Sequence, residues 1–147
     1  MPANDFKETL IEYFAIEGRI TRETYILRVI GRWIAQFVFV LSIIFLEIIL
    51  SLIFTVLNLE NSGFEGGISL IFIPIVFFVI LVFFVFAIIQ EMKRLHDMNS
   101  SGWGIIFGFI PLVNIIYYLL LILSDGTVGP NKYGEDPKGR KRKDKND

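Results

Sequence analysis

The residues most able to do chemistry lie in one short polar stretch, residues 90–103, between two long apolar runs. It holds the only histidine of the chain, His96, with Arg94 two positions before it and Asp97 directly after it. A histidine beside a carboxylate is a pairing that acid–base catalysis uses. On a helix, however, His96 and Asp97 point about 100° apart. The pattern therefore favours a structural or binding role, and we predict no catalytic residue.

Other kinds of reactive site are absent from the sequence. There is no cysteine, which excludes disulfides, thiol nucleophiles and thiolate metal sites. We find no phosphate-binding loop, no dinucleotide-binding glycine motif and no metal-ligand spacing, so we expect no metal and no cofactor. One acidic residue, Asp144, lies within the basic tail over residues 138–145. That tail favours a cytoplasmic membrane anchor, and we expect no nucleic-acid partner.

Long apolar runs decide the class of protein. Residues 33–57 carry one charge, and residues 68–89 and 105–123 carry none. Runs of about 18 or more apolar residues indicate membrane-spanning helices. The sequence predicts an all-α membrane protein, a three-segment transmembrane helical bundle with spans at about 33–57, 68–89 and 104–123. We place these in one membrane domain, 1–137, followed by a disordered charged tail, 138–147.

An amphipathic interfacial helix is predicted before the first span, over residues 5–17. Its apolar side chains recur at helical spacing opposite charged ones: Phe6, Leu10, Ile11 and Phe14. Such a helix lies in the membrane interface or packs on the ends of the spans. Thr21 is the expected N-cap of the next helix, which should run unbroken from Arg22 into the first span.

Glu47 lies near the middle of the first span, where a carboxylate is costly. It should therefore face other helices or be neutral. One interpretation is a proton or ion site of a small transporter or channel subunit. The other is a neutral acid bonded to a helix neighbour, and the lack of a partner in the other spans favours this second interpretation.

The third apolar run contains Gly108, Pro111 and Asn114 near its middle. Pro111 predicts a kink or a break, so the segment either crosses as a kinked span or turns back as a re-entrant hairpin. Of the 14 basic residues, none lies in the first loop. The positive-inside rule therefore predicts a multi-pass membrane protein with a cytoplasmic N-terminus. The side of the tail depends on the third segment.

Four motifs occur in order: Gly-Arg-Ile-Thr-Arg-Glu-Thr-Tyr at 18–25, Arg-Leu-His-Asp with Ser-Gly-Trp at 94–103, Ile-Pro at 110–111, and Gly-Thr-Val-Gly-Pro-Asn-Lys-Tyr-Gly-Glu-Asp-Pro at 126–137. Together they resemble the uncharacterised bacterial family of YhaH-like inner-membrane proteins, domain of unknown function 805, over roughly residues 14–137. The resemblance implies a small polytopic bacterial membrane protein. It implies no established activity and no catalytic residue.

Eight polar residues lie at or beyond the ends of the spans, and we call them the polar cap: Arg19, Arg22, Arg94, His96, Asp97, Asn131, Tyr133 and Asp136. We expect a pair joining Arg94 or Arg19 to Asp97 or Asp136. The favoured interpretation is structural, with the tail folded back and pinned by these pairs. The alternatives are a binding site for an anionic headgroup or partner peptide, and a membrane-interface enzyme using Arg94, His96 and Asp97.

The sequence as a whole favours a non-enzymatic membrane protein that binds a partner or lipid, or that stabilises a membrane complex. The partners it indicates are the lipid bilayer, anionic lipid headgroups and another membrane protein. A small transporter or channel subunit using Glu47 is the alternative function.

Overall fold

Helices make up the regular structure of this protein. The computed structural model describes residues 7, 11, 13–57 and 64–141, without the side chains of 64–69 and 71. We name the α-helices α1 (Arg22–Val56), α2 (Phe64–Asp97) and α3 (Val113–Leu123), and a 3-10 helix, Gly102–Phe109, lies between α2 and α3. Within the described residues an isolated bridge between Asn131 and Gly134 is the only β-type pairing. The all-helical class agrees with the prediction.

Helix α1 begins at the predicted cap. The backbone N–H of Thr24 donates to the Thr21 hydroxyl at 3.1 Å, and Glu23 lies in the first turn, where the helix dipole favours an anion. The helix then runs unbroken for 35 residues, as predicted. Its length of about 50 Å exceeds the hydrocarbon thickness of about 30 Å, so α1 is longer than one membrane crossing requires.

Helix α2 ends in a left-handed residue that sharply reverses the chain. Asn99 has φ 59°, and the N–H groups of Asn99 and Ser100 donate to the carbonyls of His96 and Leu95. This is the hydrogen-bond pattern of a Schellman motif, which accepts asparagine at its left-handed position. The motif ends the helix and turns the chain back toward it.

Among the residues that the structure describes, two helices are long and apolar enough to cross a membrane, over Arg22–Val56 and Phe72–Asp97. Protein atoms bury little of their surface: Phe37 on α1 is 65% exposed and Phe77 on α2 is 67% exposed. The core helix of a soluble protein would be covered by its neighbours, whereas a helix that is apolar all round needs hydrocarbon around it. The helices therefore have the surfaces of a membrane protein.

The chain divides into two compact units, Met1–Val29 with Phe86–Asp147, and Ile30–Val85. The first unit contains a buried apolar core: Ile20, Tyr25, Leu95, Tyr117 and Leu121. In this core Leu95 of α2 lies with Tyr117 and Leu121 of α3. Every polar-cap residue belongs to this first unit. The second unit consists of the apolar parts of α1 and α2.

The third apolar segment is interrupted at Pro111. Ile110 is extended, with φ −91° and ψ 116°, and Leu112 has φ 68°. Proline disfavours helical backbone in the residue before it and cannot donate a backbone hydrogen bond. A short 3-10 helix and α3 therefore replace one continuous helix. They pack on each other, since a Cβ added at Gly108 would lie 3.2 Å from a Tyr117 ring carbon.

Both ends of this segment return to the C-terminal end of α2. At its start, a Cβ added at Gly104 would lie 3.3 Å from the Leu95 side chain. At its end, Arg94 donates to the carbonyl of Leu121 at 2.9 Å. A straight helix over the same residues would separate these ends by about 26 Å. The third apolar segment thus begins and ends beside the C-terminal end of α2.

Three predicted segments fall wholly or partly outside the described residues: the amphipathic helix over 5–17, the first loop over 58–67 and the tail beyond 141. In the described part of the first segment, Ala15 donates to the Ile11 carbonyl at 2.9 Å. Tyr13 stacks on Phe86 of α2 with ring centroids 4.8 Å apart, and Phe14 meets the same ring edge-on. The end of this segment therefore packs on α2.

Candidate functional site

The last two turns of α2 carry an unusual number of buried polar side chains. Each is at most 9% exposed: Gln90, Glu91, Lys93, Arg94, His96 and Asp97. Polar residues that follow a long apolar run would be expected to lie in water, but these are buried. The chain after α3 and the residues before α1 fold over this end of α2, and their carbonyls and side chains replace water as hydrogen-bond partners.

Arg94 lies at the centre of the site and is fully buried. Its Nε donates to the Leu121 carbonyl at 2.9 Å, its Nη2 donates to the Ser124 carbonyl, and its Nη1 donates to Asp97. A cation at the last carbonyls of α3 also offsets the negative end of the helix dipole. The predicted pair between Arg94 and a carboxylate is confirmed with Asp97. Asp136, the other expected partner, bonds instead to Arg140.

Arg19 approaches the same carboxylate from the N-terminal side. Its Nε donates to Asp97 Oδ1 at 3.1 Å. Its Nη1 donates to the carbonyls of Gly129 and Gly134, and its Nη2 donates to the carbonyl and hydroxyl of Thr127. A guanidinium has five N–H donors in a planar fork, and each has an internal acceptor here. Asp97 is thus shared between two buried arginines.

The turn after α3 is tied to the end of α2 through the free carbonyls of that helix. The backbone N–H and the hydroxyl of Thr127 both donate to the Asp97 carbonyl, at 2.9 and 3.0 Å. Asn131 donates to the His96 carbonyl at 2.9 Å. The last carbonyls of any helix lack partners within it, so these contacts replace the missing bonds.

Gly126 permits the close approach of this turn to α2. A Cβ at position 126 would lie 2.0 Å from Asp97 Oδ2 and 2.5 Å from Asp97 Cγ. Those distances lie far inside van der Waals contact, and the obstructing carboxylate is held by Arg19 and Arg94. Only glycine fits at this position.

His96 is placed by packing. Its ring stacks on the Tyr133 ring with centroids 3.8 Å apart and planes inclined by 10°, and Nδ1 lies 3.3 Å from the Gly18 carbonyl. The Asp97 carboxylate is directed at Arg19 and Arg94. In the described structure no hydrogen bond joins the two side chains, so His96 and Asp97 do not form a catalytic dyad.

Asp136 organises the tail. It accepts hydrogen bonds from the backbone N–H groups of Gly129 and Lys138 and from Arg140 Nε, at 3.1, 2.9 and 2.9 Å. Burial acts to raise the pKa of Asp136, but the Arg140 side chain and the two backbone donors outweigh it and lower that pKa to about 2. The carboxylate therefore holds the turn as an anion.

Arg22, the last member of the polar cap, donates to the Leu123 carbonyl at 3.4 Å, beside the two carbonyls that Arg94 binds. The structure thus brings all eight polar-cap residues into one connected network. Lys138 and Arg140 extend it at the surface through ion pairs with Asp125, at 3.4 and 3.0 Å.

Sequence reasoning missed a buried carboxylate, Glu91. It accepts hydrogen bonds from the hydroxyls of Tyr117 and Tyr118 on α3, at 3.3 and 3.4 Å. A signal was available, because Glu91, Arg94 and Asp97 recur every three residues and so share one face of α2. Along this face an acidic, a basic and an acidic residue follow one another. Helix α3 and the turn after it cover the same face.

Glu47 lies apart from this network, in the second unit. Its side chain is exposed on α1, and no described side chain of this chain bonds to it. The nearby hydroxyls of Ser42 and Thr55 donate to carbonyls of their own helix, those of Phe39 and Ser51. A bond from Glu47 to a helix neighbour, which the sequence favoured, is therefore not seen within the described residues.

The buried polar groups of this site are satisfied by partners within the chain. Among the described residues, every buried side-chain nitrogen and oxygen has a hydrogen-bond partner. The described side chains also contain no group of three histidine, aspartate or glutamate residues arranged to hold a metal ion. The arrangement can join three segments of the chain rigidly, and it offers no free guanidinium at Arg19 for an incoming anion.

Comparison with known proteins agrees with this picture of a membrane protein. The family described as "Protein of unknown function (DUF805)" matches residues 13–135. The chain is 29% identical over 133 residues to inner membrane protein YhaH of Escherichia coli K12, covering 90% of this chain and 95% of that protein. It is 42% identical over 48 residues to inner membrane protein YhaI of the same strain, covering 32% of this chain and 40% of that protein. No solved structure matches. Since the family match spans most of its length, this chain belongs to the DUF805 family of proteins of unknown function.

Proposed function

We propose that this chain is a non-enzymatic, multi-pass inner-membrane protein that acts by binding, either to lipid or to another membrane protein. The observation that carries the proposal is the saturation of the buried charges at Arg19, Arg94 and Asp97 by internal partners. Enzymes keep a reactive group accessible to substrate, whereas these groups are used to hold the chain together. An enzyme using Arg94, His96 and Asp97 is correspondingly less well supported.

The polar cap, in this proposal, holds a re-entrant hairpin formed by the 3-10 helix and α3. Support comes from the return of both ends of that segment to the end of α2, at Leu95 and Arg94. Helix α3 has 11 residues, about 17 Å in length, which reaches only about halfway through a hydrocarbon core of about 30 Å. The hairpin then enters one leaflet and turns back at Leu112.

The hairpin topology also accounts for the distribution of charge. If the third segment does not cross, the N-terminus, the second loop and the tail share one face, and all 14 basic residues lie there. The positive-inside rule makes that face cytoplasmic. A crossing third segment would place the seven basic residues from Lys132 onward on the opposite side.

The binding surface in this proposal is the apolar exterior of the hairpin. Trp103 and Leu112 are each 79% exposed, and Ile116 is 62% exposed. These side chains have no cover within the first unit, so lipid chains or a partner helix must cover them in the membrane. The polar cap fixes the base of the hairpin and so holds this surface in place.

Single-cysteine labelling tests the topology, because the chain has no cysteine of its own. We compare Ser62→Cys in the first loop, Lys132→Cys in the tail and Leu112→Cys at the turn, using a membrane-impermeant maleimide. Intact cells should label position 62 alone, and permeabilised cells should also label position 132. Position 112 should react only after detergent solubilisation. Labelling of position 132 from outside intact cells would show that the third segment crosses.

Co-purification tests the binding role. The protein is isolated in mild detergent, and bound lipids and proteins are identified by mass spectrometry. We compare the wild type with Ile116→Ala/Leu119→Ala on the hairpin, and with Val128→Ala as a control outside it. A specific lipid class or protein should accompany the wild type and the control and be depleted from the hairpin variant. Equal recovery from all three, or no enriched species, would contradict the proposal.

A further inference from the structure

Glu47 lies on an exposed face of α1 with the spacing of a helix–helix seam. Phe37, Val40, Ile44, Glu47 and Ser51 follow one another at alternating steps of three and four residues, and all five are exposed. That alternation keeps side chains on the line along which two parallel helices pack. Two members of the line, Glu47 and Ser51, are polar, and Glu47 is the only ionisable residue of α1 after Arg32.

The described side chains of the second span offer no partner for the Glu47 carboxyl. Between residues 70 and 89 every side chain of α2 is apolar. A carboxyl group facing hydrocarbon without a hydrogen-bond partner is costly, and such residues in membrane helices pair with polar groups of neighbouring helices. Lipid tails offer neither a donor nor an acceptor. A second chain that packs on this face of α1 can supply the partner.

We propose that α1 pairs with α1 of a second copy of this chain, in parallel, through the seam formed by residues 37, 40, 44, 47 and 51. Two copies inserted in the same orientation place their Glu47 side chains at the same depth, facing each other across a two-fold axis. A neutral carboxyl both donates and accepts, so two carboxyl groups are complementary to each other.

The remaining residues of the seam fit the same geometry. One polar position in an otherwise apolar seam specifies the register of the two helices. Ser51, one turn after Glu47, is small enough for the two backbones to approach closely. A different partner protein would need a polar group placed at the depth of Glu47, whereas a second copy supplies one by symmetry. This pairing is independent of the polar cap and of the hairpin.

Disulfide cross-linking in native membranes tests the face. On the cysteine-free full chain we compare Ser51→Cys with Ile49→Cys. The two positions differ by about 3 Å in depth but point about 200° apart. Ser51→Cys should give a cross-linked dimer under mild oxidation, and Ile49→Cys should give at least several-fold less. Equal cross-linking at both positions, or none at Ser51→Cys, would overturn the pairing.

Variants at Glu47 test the chemistry. Oligomeric state is measured by single-molecule photobleaching of labelled full-length protein in liposomes over a range of protein-to-lipid ratios. Glu47→Leu should weaken dimerisation on the order of tenfold, while Glu47→Gln, which still donates and accepts, should retain most of it. Ser42→Ala is the matched control, because the Ser42 hydroxyl bonds within its own helix. A monomeric wild type, or unchanged dimerisation of Glu47→Leu, would refute the proposal.

Discussion

Asp97→Asn should destabilise the protein strongly although it changes one atom of the side chain. Asp97 is 2% exposed and accepts from Arg19 at 3.1 Å and from Arg94 at 2.5 Å. The amide removes the negative charge and turns an NH₂ group toward one of the two guanidinium groups. Two buried cations would then share a site that contains no anion.

The size of the effect follows from the contacts that survive. Removing one partner of a buried ion pair costs about 3–5 kcal/mol, because the other charge is left uncompensated. Arg94 keeps the carbonyls of Leu121 and Ser124, and Arg19 keeps those of Gly129, Gly134 and Thr127, so neither cation loses every acceptor. We therefore expect a loss of about 3 kcal/mol, at the lower end of that range. This is a large fraction of a typical stability of about 5–15 kcal/mol.

The assay is denaturant unfolding in detergent micelles, followed by circular dichroism, with the rate of proteolysis at residues 125–137 as a local probe. Asp125→Asn is the matched control, since Asp125 is exposed and pairs with Lys138 and Arg140 at the surface. Surface pairs contribute about 0–1 kcal/mol. The reasoning is wrong if the two variants unfold at the same denaturant concentration, or if Asp97→Asn leaves the 125–137 segment as protected as in the wild type.

Three further predictions concern the same unit. Gly126→Ala should lower the free energy of unfolding by at least about 1–3 kcal/mol, because its methyl group would collide with Asp97. Gly31→Ala, with no atom near its Cβ, should be neutral or slightly stabilising. Thermal unfolding of the two variants makes the comparison. Tyr117→Phe should lower the free energy of unfolding by about 1–3 kcal/mol, because the hydrogen bond to buried Glu91 is lost. The loss should exceed that of Tyr118→Phe, since Tyr118 is exposed. Equal shifts in unfolding would argue against a buried role for Tyr117. The folded-state pKa of Asp136, about 2, lies below the usual value of about 3.9, so its contribution to stability is complete above about pH 4 and is lost as the pH falls toward 2. Hydrogen exchange of the Gly129 amide should accelerate over that range beyond the intrinsic effect of pH, and Asp136→Asn should abolish the acceleration; a wild-type amide equally protected at pH 5 and pH 2 would contradict the assignment.

The helices and their ends were predictable because their signals are local. The run of apolar residues from 33 to 57, the Thr21 cap and the interruption at Pro111 each act within a few residues of where they stand. Of the two carboxylate partners predicted for Arg94, Asp97 was correct, because it lies one helical turn away.

Long-range contacts were not predictable in the same way. Arg19 and Asp97 are 78 residues apart, and Arg19 and Gly134 are 115 apart. Their partners depend on where the chain after α3 runs, and no local pattern specifies that path. For the same reason Asp136 was matched to Arg94 when its partner is Arg140, and Glu91 was overlooked although it bonds to two tyrosines of α3.

The sequence by itself determined that this is a helical membrane protein with a polar cluster after its second long apolar run, because hydrophobic length and charge segregation decide what a bilayer can accept. Only the tertiary structure decided that the end of α2 is buried, that Asp97 serves two arginines, and that both ends of the third segment meet at α2. Burial of a charge depends on which distant groups surround it, and sequence spacing does not contain that information. The exposed position of Glu47 likewise emerged only when the helices were placed, because the sequence places that carboxyl within a span but does not specify what faces it.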